Sequence, residues 1–249
     1  YNLPAAFITP LTISVVPAIA ACRVTHRGRE SSRIAENSLR IATVICLPMG
    51  VGLSVLAEPI MTIIYPGSHE SGPELLLLMG AASFFVCMAL MMNAILQAGG
   101  NEKYPIYSMI IGGVVKIAVN WFLVADPGIN ILGAPIGTLS CYAVMCVMDY
   151  IFLCRVMPDR PRLGSILARP VLSCAAMGLT AWAVYGLSMR FLGGGDAGRL
   201  MMALCMCLAI GAAVIVYLVL TVLTRAVTYE DMKLIPRGEK LARLLRIRP

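Results

Sequence analysis

The sequence predicts an all-α fold, a polytopic bundle of about seven membrane-spanning helices. Of the 249 residues, 59% are hydrophobic and only 13% are charged, against about 25% charged in an ordinary soluble domain. The apolar residues form unbroken runs of about 20 residues, the length needed to cross a hydrocarbon core about 30 Å thick. Barrel strands would be runs of roughly ten residues with alternating polarity, so a bilayer permits these long runs only as helices.

The seven spans are delimited by charged residues, prolines and glycines. We predict them at residues 3–22, 41–65, 75–98, 106–124, 131–153, 166–189 and 200–224. The joints between them are short, and no soluble domain interrupts the series. Residues 1–224 are therefore predicted to form one transmembrane bundle, and residues 225–249 to form a basic tail.

The first span begins at the third residue. The opening YNLPAAFITP has no initiator Met, no basic segment and no small-residue cleavage site, features that a secretory signal peptide would carry. We interpret it as a segment from within a helix rather than as the start of one. We expect the chain to be the later part of a longer protein and its first helix to be shortened.

The distribution of basic residues predicts the orientation, because Lys and Arg in short loops stay on the cytoplasmic side. The joints after the first, third and fifth spans, together with the tail, hold almost all of the 20 Lys and Arg residues. The joints after the second, fourth and sixth spans hold only Arg190 and Arg199. The C-terminus is therefore predicted to be cytoplasmic.

The end of the tail is predicted to be a short amphipathic helix on anionic lipid headgroups. Three leucines between positions 241 and 245 share one face, and the basic residues that flank it are Lys240, Arg243, Arg246 and Arg248. A solvated tail that only follows the positive-inside rule is the alternative. Nucleic-acid binding is not expected, because topology accounts for the net charge of +7 and no recognised binding module is present.

Few residues in the sequence favour an enzyme. Asp149 is the carboxylate that lies clearly inside a span, and His26 and His69 fall on loops predicted to lie on opposite sides. We therefore expect no catalytic residues. The nine cysteines lie almost entirely in apolar runs without a metal-like spacing, so we interpret them as small packing residues and expect no disulfide, metal or cofactor.

A lysine stands in the middle of the fourth span, where insertion of a charge costs roughly 2.5–3.5 kcal/mol. Helical spacing places Gly112, Gly113, Lys116 and Asn120 on one stripe, and this stripe cannot face lipid. Three interpretations of Lys116 remain open. In the first, its ammonium group donates hydrogen bonds to carbonyls or Asn side chains inside a packed bundle. In the second, it contacts an anionic substrate. In the third, its ammonium group extends to the membrane interface.

Two other groups of polar residues are candidates. Asn93 and Gln97 are one turn apart in the third span, so both project from one face, either as hydrogen-bonding links between helices or as contacts for sugar hydroxyls. Asp149 lies near the cytoplasmic end of the fifth span, six residues before Arg155. We expect it to extend to the interface or to pair with an Arg, with a proton or sodium site as the weaker alternative.

Several segments, taken in their order and spacing, resemble a known family over essentially the whole chain. They are LPAAFITPLTISVVPAIA, ILQAGGNEKYPIYSMIIGGVVKIAVNWFLV, GINILGAPIGTLSCY and TYEDMKLIPRGEKLARLL. The chain is similar to the C-terminal half of the stage V sporulation protein B family. That family belongs to the polysaccharide-exporter and lipid II flippase branch of the multidrug/oligosaccharidyl-lipid/polysaccharide flippase superfamily.

The resemblance implies a bundle of about fourteen helices in two lobes around a central cavity, with this chain as the second lobe. It implies a bacterial cytoplasmic-membrane flippase that moves undecaprenyl-linked sugars or peptidoglycan precursors by alternating access, for cell-envelope, polysaccharide or spore-cortex synthesis. Its partners would be that lipid-linked intermediate, anionic lipids and the missing N-terminal lobe. Lys116 and Asn120 match the family's Lys-x-x-x-Asn stripe, and Asn93 and Gln97 match its Asn-x-x-x-Gln motif.

The lysine and the amides have the chemistry that such a substrate requires. A lipid-linked pyrophosphate sugar carries negative charge and many hydroxyls, so its head group needs a cation and amides in a hydrated cavity. Two other functions remain open. One is a cation-coupled multidrug exporter of the same superfamily, which relies on intramembrane carboxylates such as Asp149. The other is a membrane scaffold in envelope assembly that transports nothing.

Overall fold

A computed structural model of the chain describes residues 2–65, 67, 71–192 and 198–224. Within these residues it contains helices and turns and no strand. The helices are α1 (Leu3–Val24), α2 (Gly28–Val55), α3 (Ala57–Ile64), α4 (Gly72–Ala98), α5 (Lys103–Val124), α6 (Gly133–Val156), α7 (Leu163–Leu192) and α8 (Arg199–Leu223). All of them except α3 belong to segments long and apolar enough to cross a membrane, which confirms the all-α bundle of seven spans.

The second span differs most from its prediction. The basic segment predicted as a loop is helical from Gly28 onward, and the span predicted at 41–65 is divided at Leu56 into α2 and α3. Charged residues end a membrane span, but they do not end a helix. Here they support one, because Arg40 and Glu36 form an ion pair one turn apart at 3.5 Å.

The centre of the bundle is α4, which packs on α1 and α2 on one side and on α6 on the other. Its residues Met91, Met92, Ile95 and Leu96 are almost completely buried. At one edge of the bundle α5 packs mainly on α6, and at the other edge the α7–α8 hairpin packs on α2 and α3. The helix that carries Lys116 therefore lies at an edge of this chain rather than in its centre.

A close contact between α2 and α4 depends on two glycines. A Cβ atom added at Gly80 would lie 2.8 Å from the backbone nitrogen of Ser54 and 2.9 Å from the carbonyl oxygen of Gly50. The Ser54 hydroxyl also donates a hydrogen bond to the Leu77 carbonyl oxygen across the same contact, at 2.9 Å. Small residues and hydrogen-bonding hydroxyls of this kind let membrane helices approach closely.

Substitution of Gly80 by Ala is expected to lower the free energy of unfolding by about 1–3 kcal/mol, because the new methyl group meets backbone atoms that cannot rotate away. Gly52→Ala on α2 is the matched control, since nothing lies within 4 Å of the added atom there. Thermal unfolding of the purified variants measures the difference. Equal melting temperatures for the two variants would show that the α2–α4 contact is looser than described.

Most cysteines take the predicted packing role. Seven of the nine are buried, whereas Cys154 is partly exposed and Cys207 is exposed. Cys46 and Cys87 belong to the main apolar core, and Cys174 belongs to a second cluster that includes Tyr217. The Tyr217 hydroxyl donates to the Val44 carbonyl oxygen at 2.6 Å and ties α8 to α2.

Some predictions concern residues outside the described part of the chain. The boundary at residue 224 follows directly after the end of α8, but the tail at 225–249 is not described. The predicted surface helix lies in that tail, with its residues Lys240, Arg243, Arg246 and Arg248. His69 also lies outside the described residues.

Candidate functional site

The structure places the predicted stripe of α5 against α6. Every fourth residue of each helix faces this contact, and the two helices run antiparallel, so the residues oppose one another in order. We call this contact the α5–α6 seam. It consists of Ser108, Gly112, Lys116 and Asn120 on α5 and, opposite them in the same order, Asp149, Met145, Cys141 and Gly137 on α6.

Glycines set the spacing of the seam at two levels. A Cβ atom at Gly112 would lie 2.6 Å from Cγ of Met145 and 3.2 Å from the carbonyl oxygen of Cys141. A Cβ atom at Gly137 would overlap the side chain of Asn120. Each glycine thus provides the space that a side chain of the opposite helix occupies. Of the predicted stripe, Gly112 and Asn120 face a neighbouring helix, whereas nothing lies within 4 Å of a Cβ atom at Gly113.

Lys116 lies between these two levels and is partly exposed. It lies near Cys141 across the seam. Among the described residues, no carboxylate lies within ion-pair distance of its ammonium group and no hydrogen bond to it is formed. Beside it, nothing lies within 4 Å of the position a Cβ would take at Gly113. The ammonium group is therefore available to a partner from outside this part of the chain.

Two buried oxygen atoms without a hydrogen-bond donor lie on either side of Lys116 along the seam. They are Oδ1 of Asn120, one turn away, and Oδ2 of Asp149, two turns away in the other direction. A buried acceptor left without a donor costs about 1–3 kcal/mol. The seam therefore combines an unpaired cation with two unpaired acceptors, which is a costly arrangement for a purely structural contact.

Asp149 has a different environment from the one predicted. It is completely buried, and its Oδ1 accepts a hydrogen bond from the Ser108 hydroxyl. Its carboxyl group neither extends to the interface nor pairs with Arg155, so that expectation is wrong. The reason is the position of α6, which turns this residue toward α5 rather than toward lipid. A buried ionisable group inside a membrane bundle is a candidate functional residue.

Ser108 is a member of the α5–α6 seam that the sequence pattern did not single out. The serine lies four residues before Gly112, on the same stripe as Lys116, and this spacing was the available signal. Its hydroxyl lies 3.0 Å from the Pro105 carbonyl oxygen as well as close to Asp149. The hydroxyl has one hydrogen, so the α5 backbone carbonyl and the α6 carboxyl group compete for it.

The amide pair on α4 lies apart from the seam. Asn93 is partly buried, its Oδ1 has no donor, and Gln97 is exposed near the end of α4. The Cys146 thiol donates to the Phe85 carbonyl oxygen, which fixes the level of α4 against α6. Phe85 on α4 is therefore level with Cys146 on α6, and Lys116 is level with Cys141 on α6. Because α4 and α6 run parallel, Asn93 lies roughly 20 Å along the helix axis from the level of Lys116. The described structure does not bring the two predicted pairs into contact.

The fold and the seam together define a multi-pass membrane protein with polar and charged groups inside its helix bundle, as membrane transporters have. The chain belongs to the family described as lipid II flippase MurJ, whose model matches residues 1–206. This places it in the flippase superfamily predicted from the sequence, whereas membership of the narrower sporulation family stays a prediction.

One relative supports this placement. Over 122 residues the chain is 25% identical to the lipid II flippase MurJ of Bacillus subtilis (strain 168). The match covers 47% of this chain and 22% of the relative, so the chain spans only a minor part of that protein. No solved structure matches the chain.

Proposed function

We propose that the intact protein is a transporter rather than an enzyme. It moves undecaprenyl-linked oligosaccharide or peptidoglycan precursors across the bacterial cytoplasmic membrane by alternating access, in cell-envelope, polysaccharide or spore-cortex synthesis. The described chain is the second lobe, and an N-terminal lobe of the same protein completes the cavity. The observation that carries this proposal is the unpaired Lys116 near the middle of α5 in a chain of the lipid II flippase family.

The chemistry of Lys116 suits a pyrophosphate-linked sugar. Its stem is anchored between glycine levels of the α5–α6 seam, and its ammonium group has no partner among the described residues. A substrate phosphate would supply the missing anion through charge-assisted hydrogen bonds, which are roughly twice as strong as neutral ones. Asn120 offers an amide one turn away for a sugar hydroxyl.

The amide pair on α4 has a separate part in this proposal. Asn93 and Gln97 lie near the helix end that we propose to be cytoplasmic, roughly 20 Å from the level of Lys116. They would contact the head group first, before it reaches Lys116 and Asn120 deeper in the membrane. The amides bind uncharged hydroxyls, and the lysine binds the phosphate.

The proposed orientation places the C-terminus in the cytoplasm and the basic tail on anionic headgroups, following the positive-inside rule. Arg23 and Lys103 lie at the same proposed face, near the ends of α1 and α4. Arg199 begins α8 at the opposite face. Labelling of single cysteines in these turns by a membrane-impermeant reagent tests the orientation.

Transport itself is tested with the intact protein in vesicles that contain a fluorescent lipid-linked peptidoglycan precursor. An impermeant quencher added outside removes only the outer-leaflet signal when no flipping occurs. We expect nearly complete quenching with the protein present and the protein-free level with heat-inactivated protein. Folded protein that leaves the protected signal unchanged would contradict a flippase and favour a scaffold.

A cation-coupled exporter is the second candidate, and the buried Asp149–Ser108 pair favours it. Exporters of this kind bind a proton or sodium ion at an intramembrane carboxylate. Efflux of a fluorescent cationic dye from the same vesicles, driven by a proton or sodium gradient, tests this function. Dye efflux without precursor flipping would replace the flippase with the exporter.

A further inference from the structure

A cavity of about 300 Å³ opens where α1 and α4 end, α2 begins and α6 ends. Its floor is apolar and includes Ile19, Leu96 and Leu153, which are almost completely buried. Its rim is polar and includes Arg23 and His26. A cavity with an apolar floor and a cationic rim is complementary to an amphiphile that carries negative charge at one end.

The position of Arg23 is set by the turn after α4. Gly100 adopts a φ of 72°, a conformation that glycine adopts without strain. Any Cβ atom at this position would overlap the Arg23 guanidinium group, so the guanidinium lies directly on the backbone of the turn. It is held at the rim of the cavity.

Arg23 has no acidic partner within the described part of the chain. By contrast, Arg27, in the same turn, forms an ion pair with Glu30 of α2 at 3.3 Å. No Asp or Glu is among the residues that line the cavity, although Glu102 and Asp159 each adjoin a lining residue in sequence. The rim therefore has positive charge that the lining does not balance.

His26 completes the rim from an unusual backbone conformation. Its φ is 53°, in the left-handed region, which costs a non-glycine residue roughly 1–2 kcal/mol. Gly28, at the start of α2, also lines the cavity, and no side chain caps the first turn of that helix. The imidazole offers a hydrogen-bond donor at the rim, and the positive end of the α2 helix dipole adds to the field of Arg23.

We infer that this cavity binds the phosphate group of an anionic membrane lipid. The phosphate lies against Arg23 and His26, and the first part of an acyl chain covers the apolar floor. Basic pockets between membrane helices at a headgroup level recognise lipids in this way. The site is separate from the α5–α6 seam. The inference rests on the proposed function only through the proposed orientation, which places this cavity at the cytoplasmic leaflet.

The test is a binding titration of the intact protein in neutral detergent with dioctanoyl phosphatidic acid as the probe. We expect Arg23→Gln to weaken binding about fivefold, the effect of losing one basic residue near a lipid phosphate. Arg29→Gln is the matched control, because Arg29 lies in the same basic segment but does not line the cavity. It should change the affinity by less than about twofold.

Further arms separate the ligand sources from a structural role. Dioctanoylglycerol, which lacks phosphate, should not bind detectably, and inorganic phosphate at the same concentration should not displace the lipid. Arg23→Lys keeps the positive charge and should retain most of the affinity. This variant keeps the test valid if the glutamine variant fails to fold. Equal losses for Arg23→Gln and Arg29→Gln, or binding of the neutral lipid, would overturn the inference. Competition by inorganic phosphate would overturn the lipid site.

Binding is measured without transport, so failure of this site and failure of the proposed flippase are distinguishable. If Arg23→Gln lowers the melting temperature of the lipid-free protein and leaves lipid affinity unchanged, Arg23 only stabilises the end of α4, and the inference is wrong. An unchanged melting temperature with a fivefold weaker affinity supports the lipid site.

Discussion

Replacement of Lys116 by Met is expected to reduce flipping of a lipid-linked precursor by about tenfold or more. Methionine keeps the length of the side chain but removes its charge. A hydrogen bond to a charged group contributes about 1.5–3 kcal/mol, which corresponds to roughly a tenfold or greater change in an equilibrium constant. Quenching of a fluorescent precursor in vesicles containing equal amounts of folded protein measures the effect.

The stability of the Lys116→Met variant is not expected to fall with its activity. Lys116 has no partner among the described residues, and a lysine at mid-membrane costs roughly 2.5–3.5 kcal/mol. Its removal should therefore leave the melting temperature unchanged or raise it. A large fall in stability would indicate a structural lysine that contacts the rest of the protein.

Lys103→Met is the matched control for this experiment. It is the same substitution at the start of the same helix, at an exposed position outside the α5–α6 seam. We expect its flipping activity to remain within about twofold of the unmodified protein, as for most surface substitutions. Full activity of Lys116→Met in this comparison would remove Lys116 from the substrate site.

Substitutions of Ser108 and Asp149 are expected to have different effects on the free energy of unfolding. Ser108→Ala removes the hydroxyl that donates to Asp149 and leaves the carboxyl group without that donor. We expect the free energy of unfolding to fall by about 1–3 kcal/mol. Asp149→Asn keeps the shape of the side chain, so stability should stay within about 1 kcal/mol or rise. Thermal unfolding compares the two variants.

The Asp149→Asn variant also tests ion coupling. If a proton or sodium ion binds Asp149 during transport, Asp149→Asn should make flipping insensitive to an imposed gradient. The ratio of precursor between the two leaflets under that gradient should fall by about tenfold, which corresponds to losing roughly 1.4 kcal/mol of driving force. Gradient-driven flipping in vesicles is the measurement. An Asn variant that responds to the gradient like the unmodified protein would restrict Asp149 to a packing role.

The membrane spans were predictable because their signal is local. Unbroken apolar runs identify each span, and the cost of a charge in lipid predicts that the Lys116 stripe does not face lipid. Charges mislead the prediction between Arg23 and Arg40, where the sequence predicts a loop. That segment is helical from Gly28, because ion pairs one turn apart are compatible with a helix outside the hydrocarbon core.

The partners across the seam were not predictable from the sequence alone. Ser108 and Asp149 are 41 residues apart, and which residues of two helices meet depends on their register and rotation. Both are set by packing at glycines such as Gly112 and Gly137 rather than by any local pattern. For the same reason the sequence grouped Asn93 with Lys116, although α5 packs mainly on α6 and only slightly on α4.

The accessibility of a cysteine at position 116 tests most directly the proposal that Lys116 faces an aqueous substrate cavity. The intact protein would carry this cysteine in an active background with the native cysteines replaced, including the exposed Cys207. A small impermeant thiol reagent is expected to label position 116, and lipid-linked substrate is expected to block the labelling. No labelling from either side, with loop positions labelled normally, would contradict the claim and identify Lys116 as a packed structural residue.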